Sequence, residues 1–150
     1  MTPGKTVSLT VTRRFKASPE RVFDAWLDPA KARHFLFATP TGQMMKTEID
    51  ARVGGRFLIV ERRDGQDIAH EGEYLEIERP RRLKFTFGVP KYSKDYSRVT
   101  LDILPVPGGC ELSLTHDGVL EEYADKTPEG WKMIFDGLTA LLTESASENG

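Results

Sequence analysis

The chain has 150 residues, a formal charge of −2 and a single cysteine. That length suits one domain with its own core, the missing basic excess argues against nucleic acid as a partner, and a lone Cys110 leaves no internal disulfide and points to a reducing compartment. No apolar run approaches the ~20 residues of a membrane helix and the first residues carry no signal-peptide core, so the expectation is a cytoplasmic protein with no membrane insertion.

Val7, Leu9 and Val11 alternate with Ser8, Thr10 and Thr12, which predicts a half-buried strand running to about Lys16. Ser18-Pro19-Glu20 then starts a helix: a hydroxyl cap, a proline that needs no partner, and an acid at the positive end of the dipole. Val22, Phe23, Trp26 and Leu27 give its apolar face. Asp28-Pro29-Ala30 stops that helix and starts a shorter one, with Ala32, Phe35 and Leu36 inward. Thr39 to Gly42 reads as a loop and Met44 to Asp50 as a strand. Val53-Gly54-Gly55 reads as a turn or a close backbone approach, with Arg56 exposed beyond it. Arg56 to Arg63 and Ile68 to Glu78 form two strands about the hairpin signal Asp64-Gly65. After a turn at Pro80-Arg81, Leu83, Phe85 and Phe87 alternate inward, followed by a loop from Gly88 to Asp95. Ser97 to Leu104 is the next strand, and Cys110, Leu112, Leu114 and His116 point inward in the last one. The basic clusters Arg13-Arg14, Arg62-Arg63 and Arg79 to Lys84 are mostly flanked by acids and read as solvated ends and turns.

A polar connection is expected from Asp117 to Lys126, then a helix from Thr127, capped by that hydroxyl, to Leu142. Trp131, Ile134, Phe135, Leu138, Leu141 and Leu142 form one stripe of helical period. Burying each such side chain is worth roughly 1.5–3 kcal/mol, so the stripe needs a wide apolar surface. The tail from about residue 145 to 150 is expected to fray. Strands joined by short turns make an antiparallel sheet, and helices on one face give the α+β class.

Several strings sharpen this. Phe23-Asp24-Ala25-Trp26 with Asp28-Pro29, Val53-Gly54-Gly55-Arg56-Phe57, and Gly72-Glu73-Tyr74-Leu75-Glu76-Ile77 with Pro80 and Arg82-Leu83 occur in order. Phe85-Thr86-Phe87, Leu114-Thr115-His116 and Gly130-Trp131 complete the set, which spans nearly the whole chain. The pattern resembles the START-like superfamily (the helix-grip fold, also called SRPBCC), and within it the family of activator of heat-shock protein 90 ATPase homologues. The resemblance implies a single domain over residues 1–150, with a curved antiparallel sheet of about six or seven strands gripping the long C-terminal helix and two short helices after the first strand. It does not imply one function, because this fold hosts lipid carriers, receptors, cyclases and co-chaperone domains. Relatives often carry Trp near His34-Phe35-Leu36 and in place of Phe87; both departures from the family pattern shrink the aromatic bulk that would line the cavity, so a ligand other than that of the relatives is expected. The eukaryotic co-chaperone has an additional N-terminal domain that does much of the chaperone binding, and this chain reads as one domain.

Trp26, Phe35, Phe57, Phe85, Phe87, Trp131 and Phe135 are too bulky a set for one thin core layer. Any one of them reads as ordinary core. As a set they would fill or line a gap between helix and sheet, and small-molecule pockets of roughly 300–1,000 Å³ are lined in this way. His70 and Tyr74 share one parity on a strand, and His116 is in phase with Leu112 and Leu114. Each is either a hydrogen-bonded core residue or a polar anchor in the cavity. His34, His70 and His116 are far apart in sequence, and no paired-cysteine, phosphate-loop or nucleophile-elbow motif occurs. No catalytic residue, metal or cofactor is therefore assigned. Three readings follow: a binding protein for a small apolar or amphipathic molecule, a chaperone-associated stress accessory, or a cyclase-like, aromatase-like or hydrolase-like enzyme using cavity His and Tyr as acid and base. The expected state is monomer, or homodimer paired through the edge strand Met44 to Asp50.

Overall fold

The computed structural model describes residues 6–39, 41–90 and 96–149, with side chains of the last helix to Thr143. The elements are β1 (Thr6–Phe15), α1 (Pro19–Leu27), α2 (Pro29–Ala32), β2 (Gln43–Ile49), β3 (Arg56–Arg63), β4 (Gln66–Glu78), β5 (Arg82–Phe87), β6 (Ser97–Val106), β7 (Gly109–Leu120) and α3 (Thr127–Asn149). The strands make one curved antiparallel sheet in the order β1-β7-β6-β5-β4-β3-β2. The edges are therefore β1 and β2, and the two short helices sit between them in the chain.

Local chemistry sets the joints. The Ser18 hydroxyl accepts from the Arg21 amide at 3.2 Å, with Pro19 opening α1. Asp28 ends α1 by donating its amide to the Asp24 carbonyl at 3.0 Å, and its carboxylate caps α2 by accepting from the Ala30 amide at 3.0 Å. One residue thus stops one helix and starts the next, which turns the chain across the end of the sheet. Asp64 and Gly65 take φ of 51° and 77°, the two positive values that a tight two-residue hairpin requires.

The core lies between the sheet and α3. Val99, Leu101, Leu112 and Leu114 are fully buried, as are Phe135 and Leu138 of α3. Phe135 meets Phe15 of β1 edge-on at 6.1 Å. Two polar ties fix the helix at its rim: Arg13 pairs with Asp136 at 2.9 Å, and Arg21 donates to the Leu142 carbonyl at 3.1 Å.

The structure corrects the sequence reading in three places. β7 runs to Leu120, so most of the connection expected over 117–126 is strand and a 3-10 turn at Glu121–Tyr123. The reason lies in β1: Val7 pairs with Val119, which is buried, and the Ser8 hydroxyl donates to Asp117 at 2.6 Å. Thr127 does not cap α3 by accepting a bond; its hydroxyl donates to the Tyr123 carbonyl at 2.8 Å. The α3 backbone is helical to Asn149, past the Leu142 at which the sequence reading ends it. Residues 91–95 of the expected loop after Gly88 lie outside the described residues, as does Pro40.

Candidate functional site

Aromatic rings pack against one another under α3. The rings form two clusters that meet at Trp131. In the first, Trp26 of α1 lies 5.4 Å from Phe35, edge-on, and 6.5 Å from Phe135. All three are fully buried. Trp26 also reaches Trp131 at 6.4 Å. Its indole N–H is buried and has no acceptor among the described residues. Leaving such a donor unpaired costs about 1–3 kcal/mol.

The second cluster has a different build. His70 of β4 and Phe87 of β5 lie side by side, 6.2 Å apart and within 14° of parallel. Phe37 lies over both, at 4.7 Å from His70 and 4.8 Å from Phe87, with planes within 2° and 13°. Because His70 and Phe87 are close to each other, they form a floor on one side of Phe37. Phe57 of β3 flanks it at 6.2 Å and Trp131 tilts against it at 5.9 Å. Phe37 comes from the turn after α2, is only 5% exposed, and has a φ of 56°. That left-handed conformation is unfavourable for a bulky side chain, by on the order of 1–3 kcal/mol.

A buried carboxylate holds the Phe37 segment in place. Glu61 follows Phe57 and Ile59 in inward parity on β3 and is 1% exposed. It accepts from the Thr39 amide, from the Thr39 hydroxyl at 3.0 Å, and from the Arg63 guanidinium. Arg63 also donates to the Phe37 carbonyl at 3.4 Å. Gly42 closes the arrangement, because a Cβ there would stand 2.2 Å from a Glu61 oxygen.

The two buried histidines are neutral. Burial pulls both imidazoles down to about 4. For His116 the bonding fixes the tautomer. The Trp131 indole N–H can only donate, so it donates to Nδ1 at 3.1 Å. Nε2 then carries the proton and donates to the Ser97 hydroxyl at 2.6 Å, which in turn donates to the Phe87 carbonyl at 3.2 Å. His70 donates from Nδ1 to the Ile59 carbonyl at 3.2 Å, which leaves Nε2 as its acceptor. Tyr74, 2% exposed, packs against Phe57 and Phe85 at 5.7 and 6.3 Å, and burial pushes its phenol up.

Apart from half-buried Phe87, the expected site residues are buried. Trp26, Phe35 and Phe135 pack in one cluster, and His70, Phe87, His116 and Trp131 in the other. Phe57 bridges to Tyr74 and Phe85. His34 is exposed and joins none of them, and Arg56 is exposed as expected. Surface hollows of about 360 and 230 Å³ lie between α2 and β2 (Pro29, Ala30 and Arg33 with Met44 to Thr47) and beside the β6–β7 turn. Among the described residues no three His, Cys, Asp or Glu side chains gather as a metal site, and no helix is long and apolar enough to cross a membrane. Sequence reasoning missed Phe37, Glu61 and Ser97. Glu61 had a signal, an acid at an inward strand position. Phe37 had none, because its backbone conformation depends on the latch.

A seven-stranded antiparallel sheet gripping a C-terminal helix, with two short helices after the first strand, is the helix-grip, START-like class. Within that class the chain belongs to the family described as Activator of Hsp90 ATPase homolog 1-like protein, whose pattern matches residues 16–143. A crystal structure of a protein from Chromobacterium violaceum is similar at 27% identity and a TM-score of 0.78, over 89% of this chain and 95% of that one. One from Rhodobacter sphaeroides is similar at 26% identity and a TM-score of 0.80, over 95% and 97%. The solution structure of an AHSA1-like protein from Aeromonas hydrophila shares the fold at 21% identity and a TM-score of 0.82, over 93% and 94%. No curated protein matches the chain.

Proposed function

We propose that this protein binds a small apolar or amphipathic molecule in the interior between α3 and the sheet, in a cytoplasmic setting. The observation that carries the reading is the unpartnered indole N–H of Trp26. It is a buried donor next to Trp131, in an interior where both ring nitrogens of His116 already have partners. A ligand oxygen there would remove the penalty of leaving it unpaired. The rings of Trp26, Phe57, Phe87 and Trp131 supply the apolar surface, and the family's fold supports the same use. Trp26, Phe37 and Trp131 are buried, so binding requires a side chain to move aside.

The test is thermal unfolding against a panel of fatty acids, aromatic alcohols and ketones. A ligand that binds only the folded state raises Tm with concentration. The expected result is a rise with at least one compound, reduced severalfold in affinity by Trp26→Phe when that compound carries an acceptor oxygen. No shift from any compound would remove the reading.

The family description favours a second reading, a chaperone accessory. It predicts that the purified chain binds an Hsp90-type chaperone and raises its ATPase rate, and an unchanged rate with no complex would remove it. Catalysis is not part of the proposal. His70 and His116 are held neutral and the Tyr74 phenol is pushed up, so none of the three is poised to exchange a proton at physiological pH.

A further inference from the structure

We propose that Phe37 is a displaceable internal ligand. The slot it fills, over the His70 and Phe87 rings, takes a flat, uncharged aromatic ring in its place, and Glu61 with Arg63 and Thr39 forms the latch of the closed form. This rests on the interior-binding reading above and deepens it.

Three independent observations meet here. The first is shape. Phe37 stacks within 2° and 13° of two rings that themselves lie within 14° of parallel, so the slot has a flat floor. A planar ring reproduces those contacts; a puckered saturated ring of the same size cannot. The second is strain. Phe37 holds a φ of 56°, which leaving the slot would relieve. The other rings of the interior sit on regular strands or helices, or in the turn that ends α2 without such a φ. The third is the fastening. Glu61 is 1% exposed, and its bonds from Thr39 and Arg63 tie the turn to β3. Core packing does not need a buried carboxylate, and apolar residues of like volume serve there at least as well. A latch does need one, because the three donors it collects come from the segment that must open and from the residue that holds the Phe37 carbonyl.

The charge around the slot fits an uncharged ring. Its floor and walls are Phe87, neutral His70, Phe57 and Trp131, and the Glu61 and Arg63 charges are spent on each other. A charged ligand would have to enter without a free counter-charge among these groups.

The experiment uses naphthol and its saturated analogue decahydronaphthol as probes, with wild type, Phe37→Gly and Glu61→Gln. Glycine suits the positive φ, so the first variant vacates the slot without adding strain. The expected result is naphthol affinity at least 10-fold higher in Phe37→Gly than in wild type, with decahydronaphthol affinity changed less than 3-fold. Glu61→Gln is expected to speed naphthol association severalfold. A further measurement uses the wild type alone: amide exchange at Thr39, whose N–H is bound to Glu61, should become at least 10-fold faster on saturation with naphthol while β7 amides slow. This readout stands if a variant fails to fold. Equal naphthol affinity in wild type and Phe37→Gly, or a Thr39 amide that slows together with the rest, overturns the plug and leaves interior binding intact. No binding of either probe to any form overturns both.

Discussion

The two ring clusters under α3 are both aromatic, but their central rings are held in different ways. Around Trp26 and Phe135 the aromatic side chains project mainly from α1 and α3, whose backbones are set by caps and ladders. Around Phe37 the central ring hangs from a turn with a strained backbone, tied down by one carboxylate. A ring on a regular element is there because the fold puts it there. On the proposal above, a ring on a latched turn is one that a ligand can displace.

Substitutions should separate the clusters by size of effect. Phe135→Ala removes a fully buried ring from the helix and should cost about 3–5 kcal/mol in urea unfolding. Phe37→Gly should cost less than half as much, since relief of the left-handed backbone offsets part of the lost burial. Equal losses would erase the distinction.

Acid should act on the second cluster. His70 and His116 titrate at about 4 when folded, against 6.5 for the ordinary group. Between those values the unfolded chain binds more protons, so stability is fully present above pH 6.5 and is lost as pH falls through the window toward 4. Each histidine contributes on the order of 3 kcal/mol of this slope. His116→Gln keeps an acceptor for Trp131 and should remove one such contribution, measured as a flatter pH dependence of unfolding free energy. An unchanged slope would mean that His116 is not held neutral by its surroundings.

Gly42→Ala should loosen the latch without touching the core, because the new methyl meets Glu61 and the Thr39 hydroxyl. A loss of about 1–3 kcal/mol is expected, with faster amide exchange at Thr39 and no change at β7. The smallest effect belongs to Trp26→Phe. It deletes an unpaired donor together with some packing, and these oppose each other, so the change in unfolding free energy should stay within about 1 kcal/mol. A large loss would show that the indole N–H has a partner after all.

What was readable in the sequence follows the same division. The alternation of Val99, Leu101, Leu112 and Leu114 and the stripe from Trp131 to Leu142 are periodic, and periodicity survives in one dimension. So do Ser18 and Asp28, whose caps are local. The strand end at Leu120 was not readable, because its pairing partners Thr6 and Val7 are more than a hundred residues away and Asp117 looks like loop composition. His70, Phe87, His116 and Trp131 were legible as inward residues, but their contacts were not. The second cluster is organised around Phe37, from the Phe35 to Thr39 turn. That turn's conformation is set by Glu61, a tertiary contact 22 residues away from Thr39.

The most direct measurement is an intermolecular nuclear Overhauser experiment on the protein saturated with naphthol. The account predicts contacts from the naphthol ring to Trp131 and Phe87, with the Phe37 ring signals moved to solvent-exposed shifts. Contacts confined to the groove of Pro29, Ala30 and Met45, with Phe37 unmoved, would contradict it.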